Sequence, residues 1–211
     1  VKVLTTDQRT DEWYAARVGR LTGSRAADML ATIKSGEAAA RRDLRLQLVC
    51  ERLTGQSQED AYVNAAMQRG IDKEADAFAA YEALTGTVAS GVGFLAHDHL
   101  LAGCSPDGEV GGYQGILELK CPKSSTHLGY LRANKVPSSY LPQITHNLWI
   151  TGALWCDFLS FDDRFPEPLR VFMARVYRAD VDLNAYELAA RLFLTEVETE
   201  LKAVQGLVVA A

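Results

Sequence analysis

As far as Leu84 the apolar positions recur mostly at helical spacing; from Thr87 the strand-like alternation of the middle begins. Thr10-Asp11 precede a short helix through Trp13 and Arg17, and Ser24 is placed to cap a second helix from Arg25 to Ile33. A polar Lys34-Ser35-Gly36 break follows. The strong helix formers of Glu37–Leu53 predict a helix closed by Gly55. Asn64–Leu84 predicts a long helix closed by Gly86 and loosened near Gly70. Short β-like runs come next, at Thr87–Ser90, Gly93–His97 and Leu100–Cys104, leading into the turn-rich Ser105-Pro106-Asp107-Gly108. Gly111–Gly115 reads as a hairpin connection into a strand over Ile116–Cys121, which Pro122 ends. Helices over Ser125–Asn134 and Ser138–Gly152, strands over Trp155–Phe161 and Leu169–Tyr177, and an amphipathic helix over Leu183–Val204 complete the order. This succession predicts an α/β fold, a mixed central β-sheet flanked by helices, in one domain over residues 1–211. The apolar tail Leu207-Val208-Val209 is expected to be frayed or packed on a neighbour.

Composition narrows the class only slightly. Of 211 residues, 48% are hydrophobic and 23% charged, the balance of an ordinary folded domain with room for a core. No apolar run is long enough for a membrane span, and Val1–Thr6 has no apolar core of a signal peptide, so a cytoplasmic protein is expected. Cys50, Cys104, Cys121 and Cys156 lie far apart with no CxxC pair, which points to reduced thiols and away from a zinc finger or an iron–sulfur cluster. His97, His99, His127 and His146 show no persuasive metal-ligand spacing. The net charge of −5 stands against a general nucleic-acid coat protein. The motifs press the other way.

In a strand over Ile116–Cys121, Glu118 and Lys120 share one face, while Leu117, Leu119 and Cys121 share the other, which reads as core. The first face therefore sets an acid beside an amine at a sheet edge. Asp107 precedes Glu118 by eleven residues, and antiparallel pairing would bring the two carboxylates together. Two carboxylates and a backbone carbonyl form a hard-oxygen site suited to Mg²⁺ or Mn²⁺. Such an ion with a lysine alongside supplies the parts that phosphodiester hydrolysis needs. The plainer reading is a solvated Glu118–Lys120 pair on a surface strand.

Pro106-Asp107 followed by Glu118-x-Lys120 resembles the PD-(D/E)xK nuclease signature. The fuller Cys-Ser-Pro-Asp-Gly and Leu-Glu-Leu-Lys-Cys-Pro text resembles the lambda-exonuclease-like, YqaJ-type viral recombinase family. Trp13-x3-Arg17 with Leu21-Thr22-Gly23-Ser24, Arg69-Gly70-x3-Glu74, and Tyr140-Leu141-Pro142-Gln143 with Trp149 and Thr151 resemble further blocks of that family. The resemblance runs from about Asp11 to Phe161. It implies a restriction-endonuclease-like core and a Mg²⁺-dependent exonuclease (Mn²⁺ substituting). Such an enzyme digests one strand of duplex DNA 5′ to 3′ from a phosphorylated end and leaves 3′ overhangs for a single-strand annealing protein. It further implies a homotrimer, with two ions per site held by Asp107, Glu118 and the Leu119 carbonyl. Lys120 would be the catalytic lysine, with Glu74 and Gln143 as active-site partners. Arg17 and Ser24, in the block that includes Trp13, would hold the terminal 5′-phosphate, and Lys123 would contact DNA.

Each residue also has a plainer reading. Glu74 shares a helical face with Met67, Ile71 and Phe78, so it is either a partnered acid on an apolar stripe or a glutamate exposed near Gly70. Gln143 lies on a polar stripe with Tyr140 and Asn147 and reads alone as solvated. Ser24 serves equally as a plain N-cap, and Trp13 as core that steadies Arg17. Arg25, Arg41, Arg42 and Arg45 either extend a basic rim or, for the last three, form the wet face of a helix. At the level of function, an internal cutter of the same class, a non-catalytic DNA-end-binding module and a structural protein with an accidental ExK strand all stay open.

Overall fold

The computed structural model describes residues 1–4, 7–58 and 65–209. Strand β1 (Lys2–Leu4) leads to helix α1 (Asp11–Arg17), which starts where Thr10 Oγ1 accepts a hydrogen bond from Trp13 N. Asp11 and Glu12 in its first turn and Arg17 in its last suit the helix dipole. Strand β2 (Leu21–Thr22) passes into a 3₁₀ turn, Gly23–Arg25, and a single helical turn, α2 (Ala26–Met29). The helix expected to reach Ile33 stops early. Ala26 and Met29 are buried, but Leu30 and Ile33 are exposed, so no continuous apolar stripe holds a longer helix to the core. Ser24 lies inside the 3₁₀ turn, its hydroxyl beside Thr22 Oγ1 at 3.3 Å, and caps no helix.

Helix α3 (Ala39–Thr54) ends at Gly55, whose φ of +67° and N–H to Glu51 O close the last turn. Helix α4 (Ala65–Thr85) ends in the same way at Gly86 and runs unbroken through Gly70. The expected start at Asn64 lies outside the described residues, as does the Met67 side chain. Short strands β3 (Ser90–Gly91), β4 (Phe94–Ala96), β5 (Ala102–Cys104) and β6 (Gly108–Val110) follow, and then β7 (Gly115–Lys120). The β6–β7 turn holds Gly111, Gly112 and Tyr113 at positive φ, with Glu109 accepting from Tyr113 N at 2.9 Å. Helices α5 (Ser124–Ala133) and α6 (Leu141–Thr151), strands β8 (Trp155–Phe161) and β9 (Val171–Tyr177), and helix α7 (Leu183–Val209) finish the chain. The expected tail segment at Leu207 is the last part of α7.

Among the described residues the strands form two mixed sheets where one was expected. The first has the order β1-β4-β5-β2; the second has the order β3-β6-β7-β8-β9. In the second, β7 pairs antiparallel with β6 and parallel with β8. It is therefore a central strand, and the expected position at a sheet edge is corrected: strands on both sides complete its ladder. One face of this sheet packs Leu117, Leu119 and Cys121 against Ala77 and Tyr81 of α4. The other packs Ile116 and Phe158 against Ile144 and Leu148 of α6. Full burial of side chains such as Leu117, Phe158 and Leu148 stabilises by about 2 kcal/mol each, and it fixes α4 and α6 on opposite faces of the strand that bears Glu118.

Candidate active site

Alternation along β7 sends Glu118 and Lys120 to the α6 face, as the sequence pattern requires. Pairing of β6 with β7 brings in the third group. Asp107 N donates to Leu117 O at 3.0 Å, and Leu119 N donates to Asp107 Oδ2 at 2.5 Å. The Lys120 ammonium contacts Glu118 Oε1 directly and lies 3.9 Å from Asp107 Oδ2. Gln143, from the first turn of α6, donates Nε2 to the same Glu118 oxygen at 2.6 Å. Asn147, one turn on, donates Nδ2 to Glu118 Oε2 at 3.3 Å. The Lys120 ammonium also lies 5.5 Å from the centre of the Tyr140 ring.

Glu118 is shut away, with 1% of its side chain exposed, while Asp107 and Lys120 keep 22% and 25%. The site thus opens to solvent at Asp107 and Lys120 and closes at Glu118, and it holds two acids for one amine. Burial pushes Asp107 up to about 7, and the Glu118 and Glu74 carboxylates add to this against the opposing pull of Lys120 and the Leu119 N–H. Burial acts to lower Lys120, but Glu118 and Asp107 prevail and hold the ammonium above its ordinary value.

Two supports fix the frame. Trp13 Nε1 donates to Ser105 Oγ at 2.8 Å, and Gln8 Nε2 donates to Pro106 O at 3.0 Å, so the N-terminal segment braces the loop that carries Asp107. Buried His146 ties α6 down. Its Nε2–H donates to Gly103 O at 2.9 Å, which leaves Nδ1 to accept from Tyr186 Oη at 2.7 Å. Burial lowers His146 to about 4, so the ring is neutral at pH 7.

The remaining sequence candidates fall in three positions. Glu74 lies on α4, close enough for its charge to act on Asp107, and it pairs with Arg9, a residue at φ +70° that sequence reasoning passed over. Arg17 lies over the Trp13 ring at 4.2 Å, and Trp13 is half-buried, outside the core that the sequence reading assigned it. Ser24 is exposed in the 3₁₀ turn next to Gly23, which abuts Gln143 and Asn147. Lys123 is exposed at the N-cap of α5, three residues after Lys120. Of the two readings of the arginine cluster, the ion pairs favour the plainer one for the residues on α3. Arg41 bonds Glu37 and Glu196, Arg45 pairs with Glu37 and Glu200, Arg42 pairs with Asp43, and Arg25 pairs with Asp28. Arg41 and Arg45 therefore tether α3 to α7. Asn147 is the site residue left without a role; its spacing of four from Gln143 on the same polar stripe was the signal.

Among the described residues no cluster of three or more His, Cys, Asp or Glu side chains forms a metal cage. A cation here would rest on fewer side chains: the Asp107 and Glu118 carboxylates with backbone oxygen. That donor set, all oxygen and doubly negative, fits a hard divalent ion.

The YqaJ-like viral recombinase domain matches residues 12–154, more than half of the chain. The chain belongs to this family. The alkaline exonuclease LHK-Exo from Laribacter hongkongensis is 37% identical, with a TM-score of 0.86 over 95% of this chain and 99% of that one. LHK-Exo in complex with dAMP matches with the same values. A phage-related exonuclease from Haemophilus somnus 129PT shares the fold at a TM-score of 0.65 and 12% identity, covering 89% and 95% of the two chains. No curated protein matches. The fold is restriction-endonuclease-like, with mixed sheets flanked by helices. Among the described residues no helix is long and apolar enough to cross a membrane.

Proposed function

We propose that this chain is a metal-dependent exonuclease that digests one strand of linear duplex DNA 5′ to 3′ from a phosphorylated end. The reading rests on one observation above all: Asp107, Glu118, Lys120 and Gln143 converge in one partly solvent-exposed cluster, in a chain 37% identical to an alkaline exonuclease. Mg²⁺, with Mn²⁺ as substitute and two ions per site, is the proposed cofactor. Asp107, Glu118 and the Leu119 carbonyl would hold it. When bound, such an ion supplies Lewis acidity and neutralises phosphate charge.

The chain's own residues would divide the remaining work. Arg17 binds the terminal 5′-phosphate with its guanidinium, and the Ser24 hydroxyl adds a further donor. Lys123 contacts the DNA backbone, and Trp13 steadies Arg17 from below. Lys120 orients the attacking water and stabilises charge on the phosphate, Gln143 holds Glu118, and Glu74 acts on the site through water. The water oxygen joins phosphorus and the 3′ oxygen of the terminal nucleotide leaves. A mononucleotide is released, and the shortened strand keeps a new 5′-phosphate. The surviving 3′ overhang suits a single-strand annealing partner in the cytoplasm. Continuous digestion requires a grip on the duplex, for which a homotrimer is proposed.

Linear duplex with 5′-phosphate or 5′-hydroxyl ends and closed circular duplex, each with Mg²⁺ or a chelator, tests this reading. The expected result is nucleotide release from the phosphorylated linear DNA with Mg²⁺ alone. No release there would overturn the proposal, and cleavage of the circle would replace it with an internal cutter. The solution mass should be near three times 23.1 kDa; a monomer would refute the homotrimer.

A further inference from the structure

The two Glu118 oxygens are held unequally. Oε1 receives both the Lys120 ammonium and Gln143 Nε2, whereas the bond described at Oε2 comes from Asn147 Nδ2 at 3.3 Å. Asn147 is itself 1% exposed, so its amide has no access to bulk water in place of these partners. Its other end is confined as well. A Cβ added at Gly23 would lie 2.4 Å from Asn147 Oδ1 and 3.5 Å from Gln143 Cγ, so only glycine leaves room for the amide. Asn147 therefore bridges the turn that carries Ser24 and the carboxylate at the centre of the site.

We infer that Asn147 is a positioning residue that fixes the Glu118 carboxylate for cation binding, with Gly23 leaving the space that its amide occupies. The inference rests on the proposed reading of Glu118 as a metal ligand. The physical reason is orientation: a carboxylate held on both oxygens cannot rotate away from a cation, whereas one held only through Oε1 can. Partners of this kind around a ligand change metal affinity by about 10- to 100-fold when removed.

Two variants test it. Asn147→Leu keeps roughly the volume and removes the donor. Gly23→Ala leaves every polar group intact and displaces the amide by contact alone. Mn²⁺ binding to each, without DNA, is measured by calorimetry, together with melting temperature and the Mn²⁺ and DNA dependence of nucleotide release. In both variants Mn²⁺ should bind about 10- to 100-fold more weakly. Excess Mn²⁺ should restore kcat to within a few-fold, and KM for DNA ends should stay within about twofold. A purely structural role would lower the melting temperature and leave the Mn²⁺ affinity of the folded fraction unchanged. Wild-type Mn²⁺ affinity in both variants overturns the inference. If the wild-type protein neither binds Mn²⁺ nor releases nucleotides, the reading beneath it falls as well.

Discussion

Asp157 on β8 and Glu118 on β7 are near neighbours in one sheet, both closed off from solvent and both paired with a basic side chain. Asp157 faces α4 and accepts both ends of Arg175, at 2.7 and 2.8 Å, with Tyr81 Oη a further donor at 3.1 Å. The Arg175 guanidinium in turn lies 3.7 Å from the centre of the Trp155 ring. One acid meets one base in bidentate geometry, and burial with Asp157 nearby pushes Tyr81 up to about 12. On the α6 face the balance differs, since Asp107 and Glu118 share the single Lys120. A balanced buried pair is complete in itself. An excess of carboxylate that solvent can reach is a standing demand for another cation, and it separates this cluster from a structural ion pair.

Substitutions should pull the two clusters apart. The largest effect is expected from Lys120→Met, which should slow nucleotide release per folded molecule about a thousandfold, beyond the stability it costs by leaving Glu118 without its cation; unchanged turnover would dismiss the lysine's role. Arg175→Met should do the reverse. Leaving Asp157 buried without its cation costs about 3 kcal/mol of stability in denaturant titration, with turnover per folded molecule preserved.

Asp107→Asn sharpens the contrast further, because it should abolish activity and yet stabilise the fold. Asp107 rises from an ordinary 3.8 to about 7 on folding, so its protonated form is favoured in the native state. Its contribution to stability is full below about pH 3.8 and is lost as the pH rises to about 7. Above that window the variant should exceed the wild type by on the order of 3 kcal/mol, a difference that fades toward pH 4. A destabilised variant at pH 8 would contradict the charge-excess account. The smallest effect belongs to the rim: Arg9→Gln breaks a partly exposed pair with Glu74 and should change stability by no more than about 1 kcal/mol.

The parts of this molecule legible from sequence are those set by short-range rules. Gly55 and Gly86 closed their helices as composition requires, and the alternation along Gly115–Lys120 sorted Glu118 from Leu117 and Leu119 correctly. The placing of Asp107 beside the Glu118 strand was also readable, because pairing of β6 with β7 over a short connection leaves few registers. What escaped depends on distant partners. Whether β7 lies at an edge or in the centre is decided by β8, which arrives only after α5 and α6. The helix expected past Met29 was cut short by exposure that no local pattern records. Arg41 and Arg45 stayed open between a rim and a wet helix face because their acids, Glu196 and Glu200, lie far along the chain in α7. Asn147 was visible on the stripe with Gln143, but its surroundings include Gly23, 124 residues earlier in the chain.

The brace from the N-terminal segment bears on when the site comes into being. The Trp13–Ser105 bond closes a separation of 92 residues and Gln8–Pro106 one of 98, against 25 for Gln143–Glu118. In free energy the long closure differs little, adding about 1 kcal/mol over the short one. In time it differs a great deal, since distant contacts are the slow ones to find. A chain emerging in order makes its first helix early but cannot seat Trp13 until Ser105 exists, nor hold Glu118 until α6 has formed. The geometry around Glu118 is thus a late property of folding, and under the proposed function a half-made chain beside nucleic acid would have no working site with which to damage it.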